Sequence, residues 1–140
     1  MLVPFGGAEH DWAAVELAAW IVRASGATLR LVGREETAGG RDASRLLAQA
    51  SLMIQRVVRV PAEPLLIPAG REGVLRAAQG AALIVLGLSE RWPQEGLGET
   101  RLALVREASA PVLLVRKGLR PGGIAPQQTM TRFTWSLAAS

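Results

Sequence analysis

Apolar positions along this chain change their period several times, and each change marks an element. Residues 2–5, Leu-Val-Pro-Phe, form a short apolar run that stops at Gly6-Gly7, which predicts a strand closed by a turn. Pro4 has no N–H to give to a ladder, so it argues against a central place for that strand. Over residues 9–24, Ala14, Leu17, Ala18 and Ile21 recur at helical spacing. Glu9 and Asp11 fall in the first turn and Gly26 just past the end, as the helix dipole and a left-handed cap favour. Trp12 and Trp20, eight apart, are expected roughly on one face of this helix, as packing residues.

Residues 27–32 predict a second strand, followed by a polar loop over 33–40. Asp42 is placed to cap a helix running to about residue 58. Its buried side is predicted to carry Leu46, Leu47, Ala50, Met53, Ile54 and Val57. A strand around Leu65-Leu66-Ile67 and a short helix over 71–79 come next. Residues 82–86, Ala-Leu-Ile-Val-Leu, are apolar on both faces, which is the signature of a parallel strand covered by helices. A loop over 87–98, a helix to about residue 108 and a last strand over 111–116 complete the series. Alternation of this kind predicts a three-layer α/β domain built on an open parallel five-stranded sheet.

Beyond the last strand the pattern changes, and the chain divides into a domain over 1–117 and a tail over 118–140. Gly118, Pro121, Gly122, Gly123 and Pro126 read as a linker. Phe133, Trp135 and Leu137 then alternate with Thr134 and Ser136, the pattern of a half-buried extended segment that docks on a surface.

Composition narrows the chemistry. The 140 residues include no cysteine and one histidine, which removes disulfides, thiolate nucleophiles and zinc–cysteine sites. His10 stands at a loop mouth without partners at metal-ligand spacing and is expected to be exposed. Ser89, in Gly87-Leu88-Ser89-Glu90-Arg91, lacks the second glycine of a nucleophile elbow. No catalytic set assembles, and an enzyme is not expected. The net charge of +4 is spread along the chain and does not interleave with aromatic residues, so nucleic acid is not an expected partner. The short cluster Arg116-Lys117-Gly118-Leu119-Arg120 is a modest basic spot. No apolar stretch reaches the ~20 residues a bilayer demands, and no basic start precedes an apolar run; a cytoplasmic location is the expectation.

In an open parallel sheet, ligands sit beyond the carboxyl ends of the strands, where strand order reverses. Here that crevice would be lined by Gly6-Gly7 after the first strand and by residues 87–100 after the fourth. Gly98-Glu99-Thr100 opens a helix there, whose free N–H groups are able to hold an anion. Taken alone, such scattered glycines are no phosphate-loop pattern and read first as tight strand-to-helix turns.

Two stretches resemble a known family. Gly6-Gly7-Ala8-Glu9-His10, followed by Ala14-Val15-Glu16-Leu17-Ala18, is similar to the start of universal stress protein domains. The run 82–87, then Gly98, then Ala110-Pro111-Val112-Leu113-Leu114-Val115-Arg116 resembles their closing half. The resemblance covers residues 2–117. It implies strand order 3-2-1-4-5, in the adenine nucleotide alpha hydrolase-like arrangement, and a homodimer formed along the last strand through Val112, Leu113, Leu114 and Val115. An almost wholly apolar edge strand invites such pairing on physical grounds as well.

The departures from the family pattern concern ATP. Members that bind it carry Gly, two residues, Gly, nine residues, then Gly-Ser or Gly-Thr. Gly87 and Gly98 stand for the first and third glycines, with Glu90 where the second belongs and a loop two residues short. Glu99 replaces the hydroxyl residue, and the aspartate that usually follows the first strand is Gly6. Two carboxylates beside a triphosphate would each cost on the order of 1–3 kcal/mol. Arg91 and Arg101 offer some compensation but read as solvated surface. The expectation is a degenerate site at Gly6, Gly7, Gly87, Gly98, Glu99 and Thr100 with no cofactor, in a non-enzymatic, dimerising regulatory or stress-response module. The alternative is a variant loop that still binds ATP or another adenine nucleotide. Residues 87–92, Arg120-Pro121-Gly122-Gly123 and residues 131–136 further resemble the cytoplasmic segments attached to bacterial cation/proton antiporters. That resemblance implies the membrane part of such a transporter as a partner.

Overall fold

The computed structural model of the chain describes residues 1–35, 40–119 and 122–125. Among them run β1 (Leu2–Pro4), α1 (Glu9–Ser25), β2 (Leu29–Arg34), α2 (Gly40–Val57), β3 (Ala62–Ile67), α3 (Arg71–Ala77), β4 (Ile84–Leu88), α4 (Trp92–Glu95), α5 (Glu99–Glu107) and β5 (Val112–Arg116). The strands form one sheet in the order β3-β2-β1-β4-β5, parallel at every pairing. This is the expected three-layer arrangement. The side chain of Asp42, proposed as a helix cap, and the aromatic positions Phe133, Trp135 and Leu137 lie outside the described residues, as do Arg120, Pro121 and Pro126.

Each face of the sheet has its own core. Val3, Val15, Ala18, Leu31, Leu47 and Ile54 are buried on the side covered by α1 and α2. Leu2, Val32, Ile84, Leu86 and Leu104 are buried on the side covered by α3 and α5. Alternate residues of β1 and β4 go to opposite cores, which is why those strands read as continuous apolar runs.

The element edges depart from the sequence expectation in ways that matter for the site. Gly33 and Gly87 are not loop residues. Both are buried strand positions, in β2 and β4 respectively, because a residue without a side chain can continue a ladder while breaking the apolar pattern. The expected loop over 87–98 therefore begins later, and it contains the short helix α4. On α2, Leu47, Ala50 and Ile54 are buried, whereas Leu46 and Val57 are exposed at the flanks. The buried stripe of α1 runs through Ala14, Val15, Ala18, Ala19 and Val22, leaving Leu17 exposed. Trp12 and Trp20 do not share a face: eight residues advance a helix about 80° beyond whole turns. Trp12 is buried edge-on against Phe5, with ring centroids 4.9 Å apart, while Trp20 is exposed beneath Arg23.

The start of the tail belongs to the domain's packing. Ile124 is buried in the core under α1, and the Gly123 N–H donates to the Glu16 carboxylate at 3.0 Å. No helix among the described residues is long and apolar enough to cross a membrane.

Candidate functional site

The crevice begins at Pro4. Backbone donors of β1 alternate between neighbours: the Leu2 N–H bonds to Leu83 on the β4 side, and the Phe5 N–H bonds to Val32 on the β2 side. Pro4 shares the parity of Leu2, so its missing donor falls on the β4 side. Register with β4 accordingly rests on Leu2↔Ile84, while β1 keeps three consecutive partners on β2. Contrary to the reading from propensity, proline sits in the central strand. It is tolerated because it stands at the end where the sheet has to open.

Two glycines, Gly7 and Gly87, give α1 its place beside this opening. Gly7 turns the chain at φ 90°, a left-handed conformation that other residues resist. Gly87 lies directly beneath the first turn of α1. A Cβ there would collide with the His10 carbonyl. The close crossing brings the N-terminus of α1 over β4 and faces it toward α5.

At that meeting point stands Asp11, a side chain for which sequence reasoning found only a favourable place in the helix dipole. It is buried, at 1% exposure. Its Oδ2 accepts the Gly6 N–H at 2.8 Å and the Ala8 N–H at 3.4 Å. Its Oδ1 accepts from the Arg101 guanidinium at 2.7 Å, ninety residues away on α5. Arg101 is thus not the solvated arginine expected from composition. His10 is half-buried rather than exposed, with Nε2 3.6 Å from Asp11 Oδ1. A Cβ at Gly6 would lie 3.3 Å from Asp11 Oδ2. Residue 6, where the family resemblance expects a carboxylate, is glycine, and the Asp11 carboxylate lies beside it. Arg101 Nε is buried without a hydrogen-bond partner among the described residues.

A cleft of about 840 Å³ opens beside this cluster. Its wall is apolar at Phe5, Val32, Ile67 and Val74, and polar at Asp11 and Arg101. A smaller pocket of about 280 Å³ lies on the β4 side, bordered by Ser89, Trp92 and Glu95. Of the residues singled out from sequence, Gly6, Gly98, Glu99 and Thr100 line the large cleft and Gly87 lines the small one. Gly7 shapes the turn beside them, with the Leu46 side chain 3.4 Å from where its Cβ would be. Glu99 is exposed at the first residue of α5. Glu90 is exposed on the turn after β4 and lines neither cavity, so only one of the two suspected carboxylates faces the crevice. Among the described residues no three His, Asp or Glu side chains group as a metal site.

No family model matches the sequence, and no curated protein matches it. Solved structures do. A protein from the universal stress protein family from Burkholderia pseudomallei superposes with a TM-score of 0.63 at 25% identity, covering 81% of this chain and 92% of that one. The chain has the universal stress protein fold. A universal stress protein solved in complex with cAMP gives the same TM-score at 16% identity, covering 84% of this chain and 96% of its own. A hypothetical protein of known structure gives 0.60 at 18% identity, over 86% and 96%.

The basic spot after β5 is smaller than its sequence suggests. The Lys117 ammonium bonds the Glu9 carboxylate at 2.6 Å, and this hydrogen bond raises its pKa above the ordinary lysine value. At the edge of the sheet, Leu113 and Leu114 are 37% and 42% exposed, with Val112 and Val115 half-buried beside them.

Proposed function

We propose that this chain is a non-enzymatic regulatory module of the universal stress protein type, dimerising through β5, whose cleft does not hold ATP. The observation that carries the ligand part is the Asp11 carboxylate. It already occupies the Gly6 and Ala8 N–H groups and neutralises Arg101, the donors with which an anionic ligand would be held there. Glu99 adds a second negative charge at the mouth. For dimerisation the support is the apolar β5 edge, which pairs only with β4 among the described residues and so invites pairing with another chain. The antiporter-like stretches of the sequence support a place for the module as the cytoplasmic regulatory domain of a cation/proton antiporter.

Titrating the full chain with Mg-ATP by calorimetry tests the ligand part. The expected affinity is weaker than about 1 mM, less than ~4 kcal/mol of binding free energy, and a micromolar constant would sink the reading. A second reading, an adenine-nucleotide binder with a variant loop, draws support from the cleft volume and from the fold neighbour solved with cAMP. Heat from cAMP at micromolar concentration would favour it.

A further inference from the structure

The Asp11–Arg101 bridge spans the crevice rather than merely capping its own helix. A residue at that position of α1 ordinarily reaches back to the N-cap N–H, here that of Ala8. That contact is the longest of the carboxylate's three hydrogen bonds, 3.4 Å against 2.8 Å to the Gly6 N–H and 2.7 Å to the guanidinium. The carboxylate is held most closely by groups outside α1. Both cavities are lined by His10, Leu97, Gly98 and Arg101, so the bridge lies on the partition between them.

The donors that converge on Asp11 have the makeup of an anion receptor. Two backbone N–H groups of the β1–α1 turn and a guanidinium converge on one carboxylate, and the buried Nε–H of that guanidinium has no partner among the described residues. Charge-assisted bonds from Arg and backbone N–H are what hold phosphate groups elsewhere. In this chain the anion is its own.

We propose that Asp11 is a built-in competitor for a phosphate-binding site formed by the Gly6 and Ala8 N–H groups and Arg101. The site accepts a phosphate group only when the carboxylate has been displaced. The inference rests on the proposed function and names what keeps phosphate out. Removing the charge at residue 11 turns the cleft from a closed site into an open one, and Arg101 becomes the principal contact.

Inorganic phosphate is the probe, titrated at constant ionic strength into wild type, Asp11→Asn, Asp11→Ala and the double variant Asp11→Ala with Arg101→Gln. Each variant is first checked for native circular dichroism. Both single variants are expected to bind phosphate at least tenfold more tightly than wild type, and the double variant is expected to lose that gain. Folded single variants with unchanged affinity would overturn the proposal, as would a gain that survives loss of Arg101. Should neither single variant fold, Asp11→Ser, which removes the charge while keeping an oxygen that can accept the Gly6 N–H, takes their place. A folded Asp11→Ser variant that binds phosphate no more tightly than wild type would equally overturn the proposal. Micromolar Mg-ATP binding by wild type would refute the proposed function while leaving the phosphate comparison between wild type and variants to be judged separately.

Discussion

At the scale of single residues, the crevice depends on what is missing as much as on what is present. Pro4 withholds one donor and the sheet parts there; Gly87 withholds a side chain and α1 starts in the gap. Gly87→Ala would press a methyl group into the His10 carbonyl. Backbone cannot swing aside as a side chain does, so a loss of about 3 kcal/mol or more is expected, read from the midpoint of urea unfolding. A midpoint equal to wild type would show that the helix lifts off the strand at little cost. Electrostatics at the mouth gives a second prediction. Because Glu90 lines neither cavity, Glu90→Gly is expected to leave Mg-ATP affinity unchanged. Glu99→Ser, alone or with it, is expected to gain less than tenfold, under about 1.4 kcal/mol, since Asp11 still occupies the donors. Calorimetry on the two single variants and the double variant would separate these contributions, and a large gain from Glu90→Gly would contradict the placement of that side chain.

At the scale of elements, the four residues 122–125 count as part of the domain. Ile124 is 1% exposed, packed under α1 in the same core as Val15 and Leu31. Leaving a hole there in place of its side chain is expected to cost about 2–5 kcal/mol. Ile124→Ala should therefore lower the unfolding midpoint, and truncation after Gly118 should lower it at least as far, because the Glu16–Gly123 bond goes too. Truncation after Ala125 retains both contacts. If the chain cut after Gly118 melts like the full chain, the segment is a passenger despite its burial. Periodicity along 118–126 gives no hint of this contact, since one isoleucine among glycines and prolines makes no repeat.

For the molecule as a whole, β5 is the feature that its neighbours among the described residues leave unfinished. It pairs with β4 on one side over five residues, and its Leu113 and Leu114, on opposite faces of the strand, are both exposed. A second copy adding its own β5 would cover both edges at once by a two-fold axis. Sedimentation of the full chain at tens of micromolar is expected to give a dimer, and Leu114→Lys is expected to shift it toward monomer with the fold intact. A monomeric wild type, or a dimer indifferent to that lysine, would assign the interface elsewhere or nowhere.

The class of fold was legible in the sequence because parallel strands buried on both faces leave continuous apolar runs, and amphipathic helices leave a 3.6-residue stripe. Those signals are local: each element's pattern records whether its faces are buried, and the alternation of elements then restricts the topology. The glycine-rich turns after β1 and β4 were legible for the same reason, as breaks in those runs. Local patterns do not record which partner does the burying. That is why Gly33 and Gly87 read as loop although they are strand, and why Ile124 carried no mark of its place in the core. Proline in the central strand runs against propensity, and only the strand order showed that the missing donor points at the crevice. Asp11 and Arg101 are ninety residues apart, each ordinary in its own helix. A carboxylate in a first turn and an arginine on α5 become one bridge only when α1 and α5 are brought to the same end of the sheet, by a crossing that the absence of a Cβ at residue 87 permits.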